Sequence, residues 1–281
     1  MLKRKLYKAC FVLSSFILMA VSSGSRSVNK KSGKSLSVAH KSGMHHFDSS
    51  GLCTCIPFNA KDELTNAPRI QLNKNAAPFV KGYIKKNGFF LDRAKDRIHP
   101  YFTIIDSVFE QFELPVELKY LAFVESGLKY NVISWSGAVG PWALMPKAAK
   151  QYGLKIPRHN DERLDYYKST QAAAGLLTDL FAKYGDWLLV IAAYNCGPGG
   201  VQKAIKRSGS RNYWVLQNFL PEETRKHVKK FIAIHYYFEG HGSVTTMTKA
   251  ETETHIRAVE AFVKKQQGLE KTDSLSAVVA K

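Results

Sequence analysis

One glutamate in this sequence, Glu125, has a setting suited to proton transfer. It follows the apolar run 121–124 and precedes Ser126 and Gly127, so we expect it near the end of a helix. Apolar surroundings and the negative end of a helix dipole both favour the protonated form of a carboxyl group. Cleavage of a glycosidic bond requires such an acid, because the departing oxygen must receive a proton. On this segment alone, a solvent-exposed or lysine-paired glutamate is an equally good interpretation.

Two other segments have the composition of a sugar-binding cleft. The run 137–142 is a glycine-rich loop that ends in Trp142, and the run 192–200 carries Tyr194 and Asn195 before a Gly-Pro-Gly-Gly break. Aromatic rings can cover the apolar faces of sugars, and amides can bond their hydroxyl groups. A core tyrosine with a satisfied hydroxyl group and a helix-capping asparagine are the alternative interpretations of Tyr194 and Asn195.

Helices are predicted to carry these segments. Apolar residues recur at helical spacing in 79–84 and 104–112, and Pro115 suits the first turn of a helix. Ser169 and Asp186 are suitable N-caps, and glycines stand at plausible helix ends. The further helices are predicted at 147–152, 171–184, 187–194, 201–207 and 222–239. Because no convincing run of alternating strands occurs, the predicted fold class is mainly α.

The two ends of the chain differ from this central part in composition. Lysine and arginine residues precede an apolar stretch at 9–21, which is shorter than the roughly 20 apolar residues of a membrane-spanning helix. We therefore predict a signal peptide at 1–23, with a retained anchor as the less favoured alternative. Residues 24–75 are predicted to be a basic flexible linker, and 243–281 a loosely attached polar tail.

The charge of +18 predicts an anionic partner, which on charge alone could be nucleic acid, acidic lipid or cell-wall polymer. The export signal argues against nucleic acid. We expect an exported protein of the periplasm or cell envelope, with association with the membrane or envelope left open. No paired CxxC, phosphate loop or HExxH motif occurs, and Cys53 and Cys55 lack a second cysteine pair, so we predict neither a metal nor an organic cofactor.

Four segments, taken in order, resemble the lytic transglycosylases of the membrane-bound murein transglycosylase D type. They are 124–126, 134–146, 192–200 and 220–225. The resemblance covers about 76–240, and we assign 76–242 to the catalytic domain. It implies a goose-type, lysozyme-like helical domain that cleaves the β-1,4 bond between N-acetylmuramic acid and N-acetylglucosamine in peptidoglycan.

The resemblance also implies roles for individual residues. Glu125 would be the acid that protonates the glycosidic oxygen, and then the base that takes a proton from the 6-hydroxyl group of the same sugar. That hydroxyl group attacks the anomeric carbon and leaves a 1,6-anhydro end. Tyr194 and Asn195 would line the cleft, and Ser126 would support the loop around the acid. The chemistry needs no second catalytic carboxylate, although Asp161, Glu162 and Asp165 could reach the cleft; structural or solvated roles are favoured for these three.

Three positions depart from the family pattern. Ala143 stands where glutamine is usual, Cys196 where alanine is common, and His227 where tyrosine is common. Loss of the amide at Ala143 keeps open a catalytically impaired wall-binding scaffold, and His227 could add a titrating group near the cleft. A lysozyme-like hydrolase on the same fold is the nearest alternative enzyme. Because the acid is intact, we favour an active enzyme, and the detail of the motifs favours the transglycosylase over the hydrolase.

Overall fold

The computed structural model describes residues 67–279. The predicted signal peptide and nearly all of the predicted linker, including Cys53 and Cys55, lie outside the described residues. The helices are α1 (Ala77–Gln111), α2 (Lys119–Ser126), α3 (Pro146–Gln151), α4 (Tyr166–Tyr184), α5 (Trp187–Ser208), α6 (Tyr213–Leu216), α7 (Glu222–Glu239) and α8 (Lys249–Val279). Short 3-10 turns lie at Val116–Leu118, Glu162–Leu164, Gln217–Phe219 and Val244–Thr246. Within residues 67–279 there is no β-strand beyond isolated bridges, so the mainly α prediction is confirmed.

The helix α5 lies at the centre of the fold. Its first seven residues, 187–193, are all buried, and it contacts α4, α6 and α7. Seven consecutive buried residues leave no polar face, which is typical of a helix surrounded by others. The 35-residue α1 crosses the same core and packs against α4 and α7. It joins the two predicted helical segments into one helix, with Pro100 inside it.

The helix α5 also joins two predicted helices, 187–194 and 201–207. Gly197 interrupts it with φ 75° and ψ 158°, a conformation that glycine adopts readily because it has no Cβ. The break that the sequence predicts after Asn195 is therefore present as a kink. Among residues 67–279, none of the helices has the length and apolar character needed to cross a membrane.

The predicted cap at Ser169 is wrong, whereas the predicted cap at Asp186 is confirmed. The helix α4 begins at Tyr166, and Asp165 caps it by accepting a hydrogen bond from the backbone N–H of Lys168 at 2.8 Å. Ser169 lies in the first turn, and its hydroxyl group bonds the carbonyl of Asp165 at 2.5 Å. A serine hydroxyl can satisfy a carbonyl one turn back, so its presence near a helix start does not identify it as the cap.

Residues 243–248 pack more closely than the interpretation as a loose tail anticipates. Thr245 and Thr248 are almost fully buried, and Ser243 and Thr246 form a capping box. These polar residues can be buried because their hydroxyl groups bond each other and the neighbouring backbone. At the start of α8, the backbone N–H of Lys249 donates to Asp186 at 2.7 Å. The beginning of the segment 243–281 is therefore joined to the helical core.

Asp186 makes this junction sensitive to pH. Burial raises its pKa to about 6, although backbone N–H groups of Lys249, Leu189 and Leu188 act in the opposite direction. A free aspartate has a pKa of about 3.9, so the folded state binds more protons between these values. The stabilisation from the protonated carboxyl group is present below about pH 4 and is lost as the pH rises through about 6.

We expect Asp186→Asn to remove this pH dependence. From pH 4 to pH 7, the free energy of unfolding of the variant should rise relative to that of the original chain by about 2 kcal/mol, somewhat less than the full equivalent of two pKa units, because the unfolded carboxyl group is already partly ionised at pH 4. Urea unfolding at several pH values measures the difference. Asp165→Asn changes an exposed capping aspartate and is the matched control. Parallel pH profiles for the original chain and Asp186→Asn would contradict this assignment.

Candidate active site

Glu125 lies one residue before the end of α2, as the sequence predicts. Gly127 ends the helix in the left-handed region, with φ 62°, and its N–H bonds the carbonyl of Phe123. The preceding residues 121–123 are buried, and the Glu125 side chain is 15% exposed. The carboxyl group is therefore largely shielded from water and reaches the surface over a small area.

His227 on α7 is the hydrogen-bond partner of Glu125. Its Nε2 lies 2.8 Å from Oε1 of Glu125, and its side chain is 9% exposed. The contact joins residues 102 positions apart and links the end of α2 to the second turn of α7. The other ring nitrogen, Nδ1, is buried without a hydrogen-bond partner among the described residues.

Tyr194 on α5 is the third titratable group at this point. Its hydroxyl group donates to the carbonyl of Trp142 at 2.6 Å. Burial and the charge of Glu125 raise the pKa of Tyr194 well above its ordinary value of about 10. The phenol therefore stays protonated at neutral pH and remains a hydrogen-bond donor.

Ser126 ties the end of α2 to the glycine-rich loop, which we define as residues 134–145. Its hydroxyl group lies 2.7 Å from the carbonyl oxygen of Pro141 and 3.2 Å from that of Ala122. Pro141 and Trp142 are consecutive, so Ser126 and Tyr194 hold adjacent carbonyls of the same loop. Both side chains thus fix the loop beside Glu125, and any contact they make with a substrate remains a prediction.

Trp142 serves the core and is not free to stack on a sugar. Its side chain is fully buried, its Nε1 donates to Thr170 at 2.9 Å, and its ring packs against Phe109. Trp135 in the same loop is fully exposed. The sequence pattern could not separate these two tryptophans, because both lie among the same small and polar residues.

Arg163 braces the glycine-rich loop through two of its backbone carbonyls. Its Nη1 donates to the carbonyls of Gly137 and Leu144 at 2.9 and 3.0 Å. Asp161 binds the other edge of the guanidinium group, and these bonds lower the pKa of Asp161. Arg163 is nearly buried, so its charge needs this partner. The sequence carries no local signature of this brace, because the guanidinium group binds carbonyls of a loop that is distant along the chain.

The sequence leaves open whether three acidic residues reach the cleft, and all three take part in structural contacts. Asp161 binds Arg163, and Asp165 caps α4. Glu162 accepts hydrogen bonds from the backbone of Lys155 and the side chain of Lys168, both at 2.7 Å. The structural interpretation of these residues is therefore supported by their contacts.

Within residues 67–279, no three His, Cys, Asp or Glu side chains are arranged as a metal site.

Asn195 lies on α5 directly after Tyr194. Its Oδ1 accepts a hydrogen bond from Thr224 on α7 at 2.7 Å, and Thr224 is one turn before His227. Its Nδ2 makes no hydrogen bond to the described residues. One face of the amide thus joins α5 to α7, and the other carries two N–H donors.

Two of the departures from the family pattern have a clear local setting. Cys196 fits because Gly200 leaves room for its sulfur: a Cβ at Gly200 would lie 2.7 Å from Sγ. Burial raises the pKa of this thiol, which disfavours a reactive thiolate. Ala143 is half-buried and adopts φ 46°, an unfavourable conformation for a residue with a Cβ.

The central part of the chain is similar to known transglycosylases. Residues 110–217 match the family model of the transglycosylase SLT domain. The chain is 38% identical over 154 residues to membrane-bound lytic murein transglycosylase D of Escherichia coli strain K12. That match covers 53% of this chain and 34% of the relative, so the chain spans about a third of the relative's length. The resemblance seen in the sequence motifs is therefore confirmed.

Solved structures of one soluble enzyme are also similar. The 70-kDa soluble lytic transglycosylase of Escherichia coli has a TM-score of 0.46 and 23% identity, over 63% of this chain and 32% of that one. The complex of the 70-kDa soluble lytic transglycosylase with bulgecin A has a TM-score of 0.47 and 21% identity, with the same coverage.

Because Gly140 lies close to Arg163, we expect any side chain added at Gly140 to destabilise the glycine-rich loop. A Cβ on Gly140 would lie 1.9 Å from the carbonyl oxygen of Arg163, whereas a Cβ on Gly137 would have no atom within 4 Å. Both glycines have positive φ, 83° and 87°. Gly140→Ala should therefore lose more than about 2 kcal/mol of unfolding free energy, from overpacking plus backbone strain.

Gly137→Ala is the matched control, because it adds the same methyl group at a similar φ without the clash. We expect it to lose about 1 kcal/mol, from backbone strain alone. Chemical denaturation of both variants measures the difference. Equal losses would show that the contact with Arg163 does not constrain the loop.

Proposed function

We propose that this chain, which carries a transglycosylase SLT domain, is an exported peptidoglycan lytic transglycosylase. Its substrate would be the β-1,4 bond between N-acetylmuramic acid and N-acetylglucosamine. The observation that carries the proposal is the position of Glu125, a largely buried carboxyl group at the end of α2 within the matched family segment. The name of the Escherichia coli relative, a lytic murein transglycosylase, supports the same substrate.

In the first step, the carboxylic acid of Glu125 donates its proton to the glycosidic oxygen. The bond between that oxygen and the anomeric carbon of N-acetylmuramic acid breaks, and the neighbouring sugar leaves as an alcohol. This step requires the protonated form of the carboxyl group, because the departing oxygen must receive a proton. The shielding of Glu125 by α2, Tyr194 and His227 supports this role.

In the second step, the Glu125 carboxylate takes the proton of the 6-hydroxyl group of the same N-acetylmuramic acid. The oxygen of that hydroxyl group bonds to the anomeric carbon, and the product contains a 1,6-anhydro ring. Glu125 ends the cycle protonated, and no water is consumed. A two-carboxylate glycosidase needs a second acidic group near the cleaved bond. The structural contacts of Asp161, Glu162 and Asp165 support a mechanism with one carboxylate.

The remaining site residues would hold the sugar chain. The free N–H donors of Asn195 suit the carbonyl or hydroxyl oxygens of an acetylated sugar, and the exposed ring of Trp135 could cover a sugar face. Tyr194 and Ser126 would act by fixing the loop carbonyls of Trp142 and Pro141. We propose no metal ion or organic cofactor, because proton transfer and an internal hydroxyl group suffice for the reaction.

The export part of the proposal rests on the sequence and on the relative's name. The basic and apolar pattern of residues 1–23 is typical of a signal peptide, and the relative is described as membrane-bound. We propose a location in the periplasm or cell envelope, where peptidoglycan is accessible. The charge of +18 suits association with anionic wall polymers or with the membrane surface.

Glu125→Gln tests the role of the acid. We expect purified peptidoglycan treated with the original chain to release muropeptides with anhydro ends, which mass spectrometry detects as a loss of one water relative to reducing ends. The variant should lose at least about 100-fold in rate, the lower end of what a positioned acid–base group supplies. The amide keeps the size of the side chain and cannot donate a carboxylic proton.

Glu117→Gln is the matched control for this experiment. Glu117 is a partly buried glutamate on the 3-10 turn before α2, and burial raises its pKa, but its side chain makes no hydrogen bond to His227 or Tyr194. Its replacement should leave the release of muropeptides unchanged. Reducing-end products from the original chain would support the hydrolase. Wall binding without any release would support the scaffold and direct attention to Ala143.

A further inference from the structure

We propose that His227 is a positioning residue that donates a fixed hydrogen bond from Nε2 to Oε1 of Glu125, so that Oε2 is the oxygen that exchanges protons with the substrate. The inference rests on the proposed function for the role of Glu125. It assigns the two oxygens of one carboxyl group to different tasks and names the residue that separates them.

The distance of 2.8 Å between Nε2 and Oε1 permits two arrangements. In one, a neutral His227 carries its proton on Nε2 and donates to Oε1. In the other, the carboxyl O–H on Oε1 donates to Nε2, and the ring proton lies on Nδ1. The two differ in which oxygen of Glu125 can hold the acidic proton.

The environment of Nδ1 decides between these arrangements. This nitrogen is buried and has no hydrogen-bond partner among the described residues. A proton on Nδ1 would create a buried N–H without an acceptor, and unpaired buried N–H groups are rare in folded proteins. Nδ1 as a bare acceptor avoids that cost. The geometry therefore favours the arrangement in which Nε2 carries the proton and donates to Oε1.

No other side chain of the described residues hydrogen-bonds Glu125. Tyr194 lies near enough for the charge of Glu125 to affect it, but its hydroxyl group is directed to the carbonyl of Trp142. Oε1 is thus occupied by His227, and Oε2 is available. A carboxylic acid whose Oε1 accepts a hydrogen bond must carry its own proton on Oε2 to keep that bond.

This arrangement assists the transfer of the proton. As Oε2 gives its proton to the glycosidic oxygen, negative charge develops on both oxygens of Glu125. The hydrogen bond from His227 to Oε1 strengthens with that charge and therefore stabilises the transition state more than the ground state. His227 does not need to contact the sugar, since it acts through Glu125. When Oε2 later takes the proton of the 6-hydroxyl group, the hydrogen bond from His227 to Oε1 is still in place.

Three variants of His227 separate a donor role from a packing role. His227→Phe keeps a planar ring and removes the donor, so kcat should fall by about 10- to 100-fold, the value of one hydrogen bond to a charged group, with KM little changed. His227→Gln places an N–H near the position of Nε2, and His227→Tyr supplies an O–H. Both should recover most of the lost kcat. Thermal unfolding of each variant verifies that it is folded.

The tautomer of His227 can be measured without any enzyme assay. Nitrogen-15 NMR of the full chain with labelled histidine distinguishes the two neutral tautomers and the imidazolium, and the spectrum of His227→Gln identifies the signal by its loss. We expect Nε2 of His227 to carry a proton. A proton on Nδ1 with none on Nε2 would overturn the proposal. Unchanged kcat in His227→Phe would also overturn it.

The two measurements keep this inference distinct from the proposed function. If the original chain releases no anhydro product, the transglycosylase proposal fails, while the NMR result still establishes or refutes the hydrogen bond. If anhydro product forms and depends on Glu125 but His227 carries its proton on Nδ1, the function stands and the positioning role fails.

Discussion

Two hydrogen bonds to consecutive carbonyls fix the glycine-rich loop beside Glu125, and the arrangement of the site depends on them. Ser126 binds the carbonyl of Pro141, and Tyr194 binds that of Trp142, at 2.7 and 2.6 Å. Ser126 follows Glu125 on α2, and Tyr194 belongs to the central helix α5. The glycine-rich loop is therefore attached to both helices beside the carboxyl group. Its buried Trp142 and the Arg163 brace make the loop part of the core, which keeps the backbone around Glu125 in one place.

Hydrogen bonds fix the groups around Glu125 in the described structure. The raised pKa of Tyr194 keeps its phenol protonated, and Nε2 of His227 lies 2.8 Å from Oε1 of Glu125. The charged Asp161 is bound directly by Arg163. A largely buried surrounding whose groups are held in place lets a carboxyl group take up and release a proton without a large change in its neighbours. This property suits a residue that acts first as an acid and then as a base.

Local patterns in the sequence were sufficient for the helical class and for the place of Glu125. The apolar run before Glu125 and the Ser-Gly pair after it predict a helix end, and α2 ends at Ser126. The contact between Glu125 and His227 spans 102 positions, so only the packing of α7 against α2 could reveal it. The brace at Arg163 depends in the same way on distant loop carbonyls. The cap predicted at Ser169 is wrong, and residues 243–248 are packed closely, because hydroxyl groups can satisfy nearby carbonyls or one another and so become buried.

The identity of the attacking oxygen is the central claim of the proposed chemistry, and water enriched in oxygen-18 tests it most directly. Peptidoglycan would be digested in this water by the full chain, and each new glycan end would be weighed by mass spectrometry before slow exchange occurs. If the 6-hydroxyl group attacks, every new N-acetylmuramic acid end is anhydro and contains no oxygen-18. One oxygen-18 atom in each new end would show that water attacks, and the chain would then be a hydrolase.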